Sequence, residues 1–73
     1  MVEENLLAII PGDLVAQGSR TLPPAEFCRG AVQTVEIDVP GRFRARVLYK
    51  AFRHRHGKWT RWFWAAESAE RIS

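Results

Sequence analysis

The sequence predicts a mainly β fold, a small antiparallel sheet or barrel with one or two short helical turns. Apolar and polar residues alternate over residues 34–39 and again over residues 42–49, which is the period of strands that are buried on one face. Pro40-Gly41 separates these stretches and His56-Gly57 follows them, and both pairs are turn signals. Two successive hairpins are therefore expected in the carboxy-terminal half.

The length of 73 residues predicts a single small domain, residues 1–73. Within it, residues 1–10 could be an N-terminal arm or a short helix, although a run of five apolar residues also fits a strand. Residues 13–17 suit a short strand, and a loop follows over residues 18–24. Residues 23–29 predict a short helix with proline in its first turn.

The first hairpin is expected to place Asp38 opposite Arg42. Ile37 then meets Phe43 on the apolar face, and acidic residues meet arginines on the other face, so that every cross-strand pair is favourable. Moving the register by one residue would place Ile37 against Arg44. The pairing of Asp38 with Arg42 is therefore preferred.

The second hairpin is expected to turn at His56-Gly57, with glycine in a left-handed conformation. A two-residue turn pairs Tyr49 with Trp64 and places Trp62 and Trp64 on the core face. The opposite face would then carry aromatic and cationic side chains together: Phe52, Trp59, Phe63, Arg46, Lys50 and Arg61. A three-residue turn would exchange the two faces, and either turn leaves at least one aromatic side chain beside cations.

Two short motifs carry a resemblance to a known fold. Pro11-Gly12-Asp13-Leu14-Val15 resembles the Gly-Asp-x-Val opening of the first strand in many SH3-like small β-barrels. Residues 65–72, which suit a final helical turn or two, are similar to the segment that closes such barrels. The resemblance covers residues 11–72 and implies the fold only, because this barrel serves many functions.

The ending Glu70-Arg71-Ile72 is also similar to that of the plasmid-borne dihydrofolate reductases built on the same barrel. Their reductase motif, Val-Gln-Ile-Tyr, falls where this chain has Arg61-Trp62-Phe63-Trp64. The active glutamine is missing, and reductase activity is therefore not expected.

The charges are distributed unevenly along the chain. Residues 42–61 contain eight Lys or Arg and no Asp or Glu, whereas the rest of the chain has all eight acids and three cations. The net charge of +3 thus combines a segment of +8 with a remainder of −5. Seven of the eight aromatic residues lie between Phe43 and Trp64. A cationic segment interleaved with aromatic residues predicts a polyanionic partner, and nucleic acid is the first candidate.

The predicted nucleic-acid-binding site consists of the cations expected to lack internal counter-ions and of two aromatic residues among them. Arg42 and Arg44 are left out, since Asp38 and Glu36 are expected to neutralise them. The predicted site residues are Arg46, Lys50, Phe52, Arg53, Arg55, Lys58, Trp59 and Arg61. The cations would neutralise phosphates, and aromatic faces would stack on unpaired bases at about 1–3 kcal/mol each. A two-stranded ribbon could also enter a DNA major groove.

A second hypothesis is a small protein-binding adaptor or inhibitor, of the kind that phages and plasmids encode. Its partner would be an acidic protein surface, because Trp and Arg are the residues richest in interface hot spots. The amino-terminal segment could also dock on a second subunit and form a homodimer.

No enzyme is expected. Cys28 beside Arg29 is better explained as a packed small side chain than as a nucleophile. His54 and His56 point to one face of a strand, but a stable zinc site needs more ligands than two. We therefore predict no catalytic residue, no metal site and no cofactor.

The single cysteine excludes an internal disulfide and favours a reducing compartment. The sequence contains no apolar stretch that approaches the roughly 20 residues needed to cross a bilayer, and no secretory signal pattern. A cytoplasmic location without membrane contact is therefore expected.

Overall fold

The computed structural model of the protein describes residues 5–73. These residues form a three-stranded antiparallel sheet in the order β1-β2-β3. Its strands are β1 (Val32–Val39), β2 (Phe43–His56) and β3 (Trp59–Arg71). Helix α1 (Gly12–Arg20) and two 3₁₀ turns, Leu6–Ile9 and Ala25–Phe27, precede the sheet. The predicted mainly β fold is confirmed, but the sheet is open and not closed into a barrel.

The prediction of a strand over residues 13–17 is wrong, because this segment lies in α1. The Pro11-Gly12 pair that resembles a barrel opening instead begins the helix, with Pro11 at its N-cap and Gly12 as its first residue. Leu14, Val15 and Gly18 then lie on the side of the helix that faces the sheet. A stretch of five residues is too short for its apolar pattern to distinguish a helix from a strand.

The first hairpin has the predicted faces but not the predicted register. Val39 pairs with Phe43, and Asp38 pairs with Arg44 rather than with Arg42. Pro40 and Gly41 occupy the centre of a turn closed by the Arg42 N–H, which donates to the Val39 carbonyl at 3.0 Å. Gly41 has φ +73°, as the third residue of a type II turn requires. This turn keeps Val39 in the strand, where its side chain is 4% exposed.

The second hairpin is likewise displaced by two residues with its faces preserved. His56 pairs with Trp59, and Trp64 lies opposite Ala51 rather than Tyr49. Gly57 is the first residue of the two-residue turn and has φ +61°, the left-handed conformation predicted for it. Because a shift of two leaves every side chain on its own face, Trp64 remains on the predicted core face.

β3 continues to Arg71, so the prediction of a final helical turn over residues 65–72 is wrong. A β-bulge at Glu67 allows this extension, since Tyr49 pairs with Ala66 and Leu48 with Ser68. The extra residue restores the alternation and places Ala69 in the core.

The first 3₁₀ turn is attached to the outer edge of β3 through Asn5. The Asn5 Oδ1 atom accepts hydrogen bonds from the backbone N–H groups of Leu7 and Ala69, both at 3.0 Å. Of the alternatives left open for residues 1–10, the structure has a short helix, the 3₁₀ turn Leu6–Ile9, whereas residues 1–4 lie outside the described part. The short helix predicted over residues 23–29 is the 3₁₀ turn Ala25–Phe27.

The core lies between α1 and one face of the sheet. Tyr49 is its largest fully buried side chain, and the hydroxyl donates to the carbonyl oxygen of Val15 at 2.6 Å. Gly18 makes this approach possible, because a Cβ atom there would lie 2.6 Å from the Tyr49 Oη atom and 3.0 Å from the Ile37 Cδ1 atom. No helix among residues 5–73 is long and apolar enough to cross a membrane.

Replacing Gly18 with alanine is expected to destabilise the fold. Overpacking costs about 1–3 kcal/mol and exceeds the roughly 1 kcal/mol that alanine adds to helix propensity. Urea unfolding of Gly18→Ala should show a net loss on the order of 1 kcal/mol. The matched control is Gly12→Ala in the same helix, where a Cβ atom meets nothing within 4 Å. Equal stability of the two variants would contradict the close contact between α1 and Tyr49.

The fold is also expected to lose stability in alkali through Tyr49. Burial raises the pKa of Tyr49 above its ordinary value of 10.0, so the folded state favours the neutral phenol. This contribution is complete below pH 10.0 and disappears as the pH rises through the folded-state value. Unfolding of Tyr49→Phe between neutral and alkaline pH should show a smaller decline than that of the wild type. An identical decline would exclude this contribution.

Candidate nucleic-acid interface

The second hairpin extends beyond the rest of the sheet. β2 has 14 residues and β1 has eight. The pairing of β1 with β2 ends at Val32, the first residue of β1, which lies opposite Lys50. From Lys50 to the turn at Gly57, the described part of the sheet has two strands, β2 and β3. We call residues 50–65 the arm, and its side chains from Arg53 to Arg61 are all exposed.

The outer face of the arm is the face turned away from α1, and it carries a row of rings. Phe52 and Phe63 lie opposite each other with ring centroids 6.3 Å apart. His54 contacts Phe63 edge-on at 6.4 Å and stacks on His56 at 6.3 Å. Trp59, which pairs with His56, completes the row at the turn and is 78% exposed.

The inner face of the arm is on the same side as α1, and its base is anchored. The Trp64 indole N–H donates to the carbonyl oxygen of Pro23 at 2.7 Å. The guanidinium of Arg29 lies 5.6 Å from the centre of the Trp62 ring, within the range of a cation–π contact. These contacts fix the arm to the loop before β1 and leave its distal half exposed.

The cations of the arm have no carboxylate partners among residues 5–73. The ion pairs of this described part all lie in the sheet and involve Arg44 and Arg46. The cations without such a partner are Lys50, Arg53, Arg55, Lys58 and Arg61. The arm itself contains no acidic residue, and its positive field is therefore not cancelled locally.

The expectation that Arg46 lacks a counter-ion is wrong. Its guanidinium lies 3.1 Å from Glu70 and 3.8 Å from Glu36. Arg44 pairs with Glu36 at 3.7 Å, whereas Arg42 lies 5.9 Å from the centre of the Phe43 ring. Exposed pairs of this kind contribute only about 0.2–1 kcal/mol each. Two adjacent carboxylates would nevertheless repel a phosphate, and Arg46 is therefore not part of the interface considered below.

The structure brings the other predicted site residues together on the arm: Lys50, Phe52, Arg53, Arg55, Lys58, Trp59 and Arg61. They are divided between two faces, because Arg53 and Arg55 pair with inner-face residues, whereas Lys50, Phe52 and Arg61 belong to the outer face. The prediction omitted Phe63 from the site, although the alternating pattern already placed it beside Phe52. It also missed Arg29, whose position over Trp62 depends on a loop contact that no local pattern signals.

The distal part of the arm forms an open concavity lined by His54, His56, Trp59, Thr60 and Arg61. Residues 5–73 contain no group of three or more His, Cys, Asp and Glu side chains placed to hold a metal ion. The arrangement presents flat rings and cations to solvent, which is a chemistry of stacking and charge neutralisation.

Comparisons with protein-family models, with curated proteins and with solved structures find no match to this chain. The interface is therefore interpreted from its own geometry.

Trp59 should be the most accessible of the three tryptophans. Acrylamide is a neutral quencher, and its effect on tryptophan fluorescence is therefore not influenced by the charges of the arm. Trp59→Phe should remove the most strongly quenched part of the emission, while Trp62→Phe should leave that part in place. Equal quenching of both variants would contradict the exposure of Trp59 and the predominantly half-buried state of Trp62 and Trp64.

Proposed function

We propose that this protein is a small nucleic-acid-binding module that uses the arm as its contact surface. The observation that carries the proposal is the set of five arm cations without a carboxylate partner among the described residues. They lie on an exposed two-stranded ribbon interleaved with aromatic side chains. A phosphate backbone would supply the missing negative charge, and the rings would contact bases.

The energy of such binding would come largely from the release of counter-ions. Each neutralised phosphate contributes about −0.7 to the slope of log K against log salt for a single strand and about −0.9 for a duplex. If all five arm cations take part, the slope would be about −3.5 to −4.5. Affinity should therefore fall steeply between low and physiological salt.

The proposed role is binding without catalysis. The open ribbon has no walls that would exclude water from a reacting group, and binding through an exposed ribbon does not need them. The cytoplasmic location and the homodimer stay predictions, and sedimentation of the purified protein tests the second.

The matched test compares two double variants with the same change of charge. Arg55→Gln with Lys58→Gln removes two cations from the tip of the arm, and Arg42→Gln with Arg44→Gln removes two from the first hairpin, in its turn and at the start of β2. The arm variant should bind labelled oligonucleotides more weakly, with a salt slope smaller in magnitude by about 1.4–1.8. The control should keep most of the affinity and the slope. Equal weakening of both would indicate that total charge, and not the arm, determines binding.

An acidic protein surface is the second candidate partner. The observation that favours it is the exposure of Phe27, 80% exposed on the second 3₁₀ turn, which no phosphate contact explains. A protein partner could cover this ring together with the arm, since buried aromatic and Arg side chains dominate interface energies. Failure of nuclease-treated protein to shift any oligonucleotide at low salt would reject the first candidate and favour this one.

A further inference from the structure

We propose, on the basis of the function above, that the outer face of the arm is a stacking platform for the bases of a single-stranded nucleic acid. The occupant is a single strand, and not a duplex groove, because the contact surface is a row of rings, in which His54 and His56 are stacked and Phe63 meets His54 edge-on. Ring faces bind the faces of unpaired bases, whereas a duplex presents base edges in its grooves.

The spacing of the rings supports a stretched strand. Successive centroid distances along the row are 6.3 Å from Phe52 to Phe63, 6.4 Å from Phe63 to His54 and 6.3 Å from His54 to His56. Each step is close to twice the roughly 3.4 Å rise per base along one strand of B-DNA. Bases stacked on successive rings would therefore be separated from each other, which a paired and stacked duplex does not allow.

Two rings on the outer face of the arm are left exposed to solvent by the rest of the described protein. Trp59 is 78% exposed and Phe63 is 42% exposed. Leaving apolar area in water costs free energy at about 25 cal/mol per Å². The inner-face Trp64, by contrast, reaches Pro23 and packs against the core. Covering the outer rings with bases would remove this apolar area from water.

The cations on the same face distinguish a nucleotide from a purely apolar partner. The Lys50 Nζ atom lies 5.4 Å from the centre of the Phe52 ring, and Arg61 lies directly opposite His54. An apolar protein surface would bury these charges without a counter-ion, and burying an unpaired charge carries a large free-energy penalty. A nucleotide carries a flat base and a phosphate on one unit, and so matches rings that are bordered by cations.

Lys50 and Arg61 would therefore contact the phosphates of the stacked strand, with Lys58 at the turn continuing the same path. Arg53 and Arg55 leave from the inner face and would add mainly to the attraction at longer range. The platform thus has a defined composition: the rings of Phe52, His54, His56, Trp59 and Phe63, with Lys50 and Arg61 at their border.

The experiment compares an oligothymidine of about 12 nucleotides, within the range of single-strand sites, with a duplex of equal length. Binding is followed by fluorescence anisotropy of the labelled probe at several salt concentrations. The single strand should bind more tightly. Trp59→Ala should weaken single-strand binding by about 5- to 150-fold, the loss of one stacked base. Its salt slope should be unchanged, because no phosphate contact is removed.

The control variant is Phe27→Ala, which deletes an aromatic side chain of similar exposure, 80% against 78%, that lies off the arm. It should bind the single strand as the wild type does. Circular dichroism of each variant establishes that the sheet is retained.

The outcomes separate this inference from the function on which it rests. If neither probe binds at low salt, the nucleic-acid function itself is rejected. If the duplex binds as tightly as the single strand, or if Trp59→Ala binds like the wild type, the stacking platform is rejected and nucleic-acid binding is retained. The same experiment with oligouridine shows whether the platform distinguishes RNA from DNA.

Discussion

The structure depends on one mismatch of length, because the central strand β2 has 14 residues and its neighbour β1 has eight. Where the three strands overlap, α1 covers one face and the core is closed around Tyr49. Beyond Lys50 the residues that the structure describes supply no third strand, and the segment around Pro23 and Arg29 covers only the base of the arm. The arm is the consequence, and its distal side chains are exposed on both faces.

The same mismatch separates the charges. In the three-stranded part, Glu36 and Glu70 lie on the strands that flank β2 and pair with Arg44 and Arg46. In the arm, neither β2 nor β3 carries an acid between residues 50 and 65. The uneven distribution of charge in the sequence therefore becomes an uneven distribution in space. Arg44 and Arg46 in the sheet are paired with carboxylates, whereas the five arm cations have no carboxylate partner among residues 5–73 and are available for an external anion.

Alternation of apolar and polar residues was sufficient to predict both hairpins, but the faces of the aromatic side chains in the second hairpin depended on its turn, which the structure shows to have two residues. Alternation did not determine the strand register of either hairpin, because a shift of two residues leaves every side chain on the same face of the sheet. Only the turn at Pro40-Gly41 and the burial of Val39 decide between the two registers, and both depend on the packed core. The second hairpin shows the same ambiguity, although the glycine of its turn was assigned correctly.

Local sequence patterns did not predict the features that depend on contacts between distant parts of the chain. The alternation within residues 13–17 did not reveal the helix, whose packing over the sheet brings Gly18 against Tyr49, far along the chain. Glu70 neutralises Arg46 only because the bulge at Glu67 carries β3 alongside β2. The structure places the predicted site residues of the isolated ribbon close together, and their binding of nucleic acid stays a prediction. The expectation that Arg46 lacks a counter-ion was wrong, because Glu36 and Glu70 on the two flanking strands pair with it.

The most direct test of the central claim, that the arm is the surface left for an external anion, is an NMR titration with a single-stranded oligonucleotide. Each of the three tryptophans contributes one indole N–H group, and the arm carries all three with different exposures. The account predicts a large shift for Trp59 and for the backbone amides around Gly57. The Trp64 indole, which donates to Pro23, should stay nearly fixed, as should the amides of α1. Shifts concentrated on α1 and β1, with Trp59 unchanged, would contradict the account.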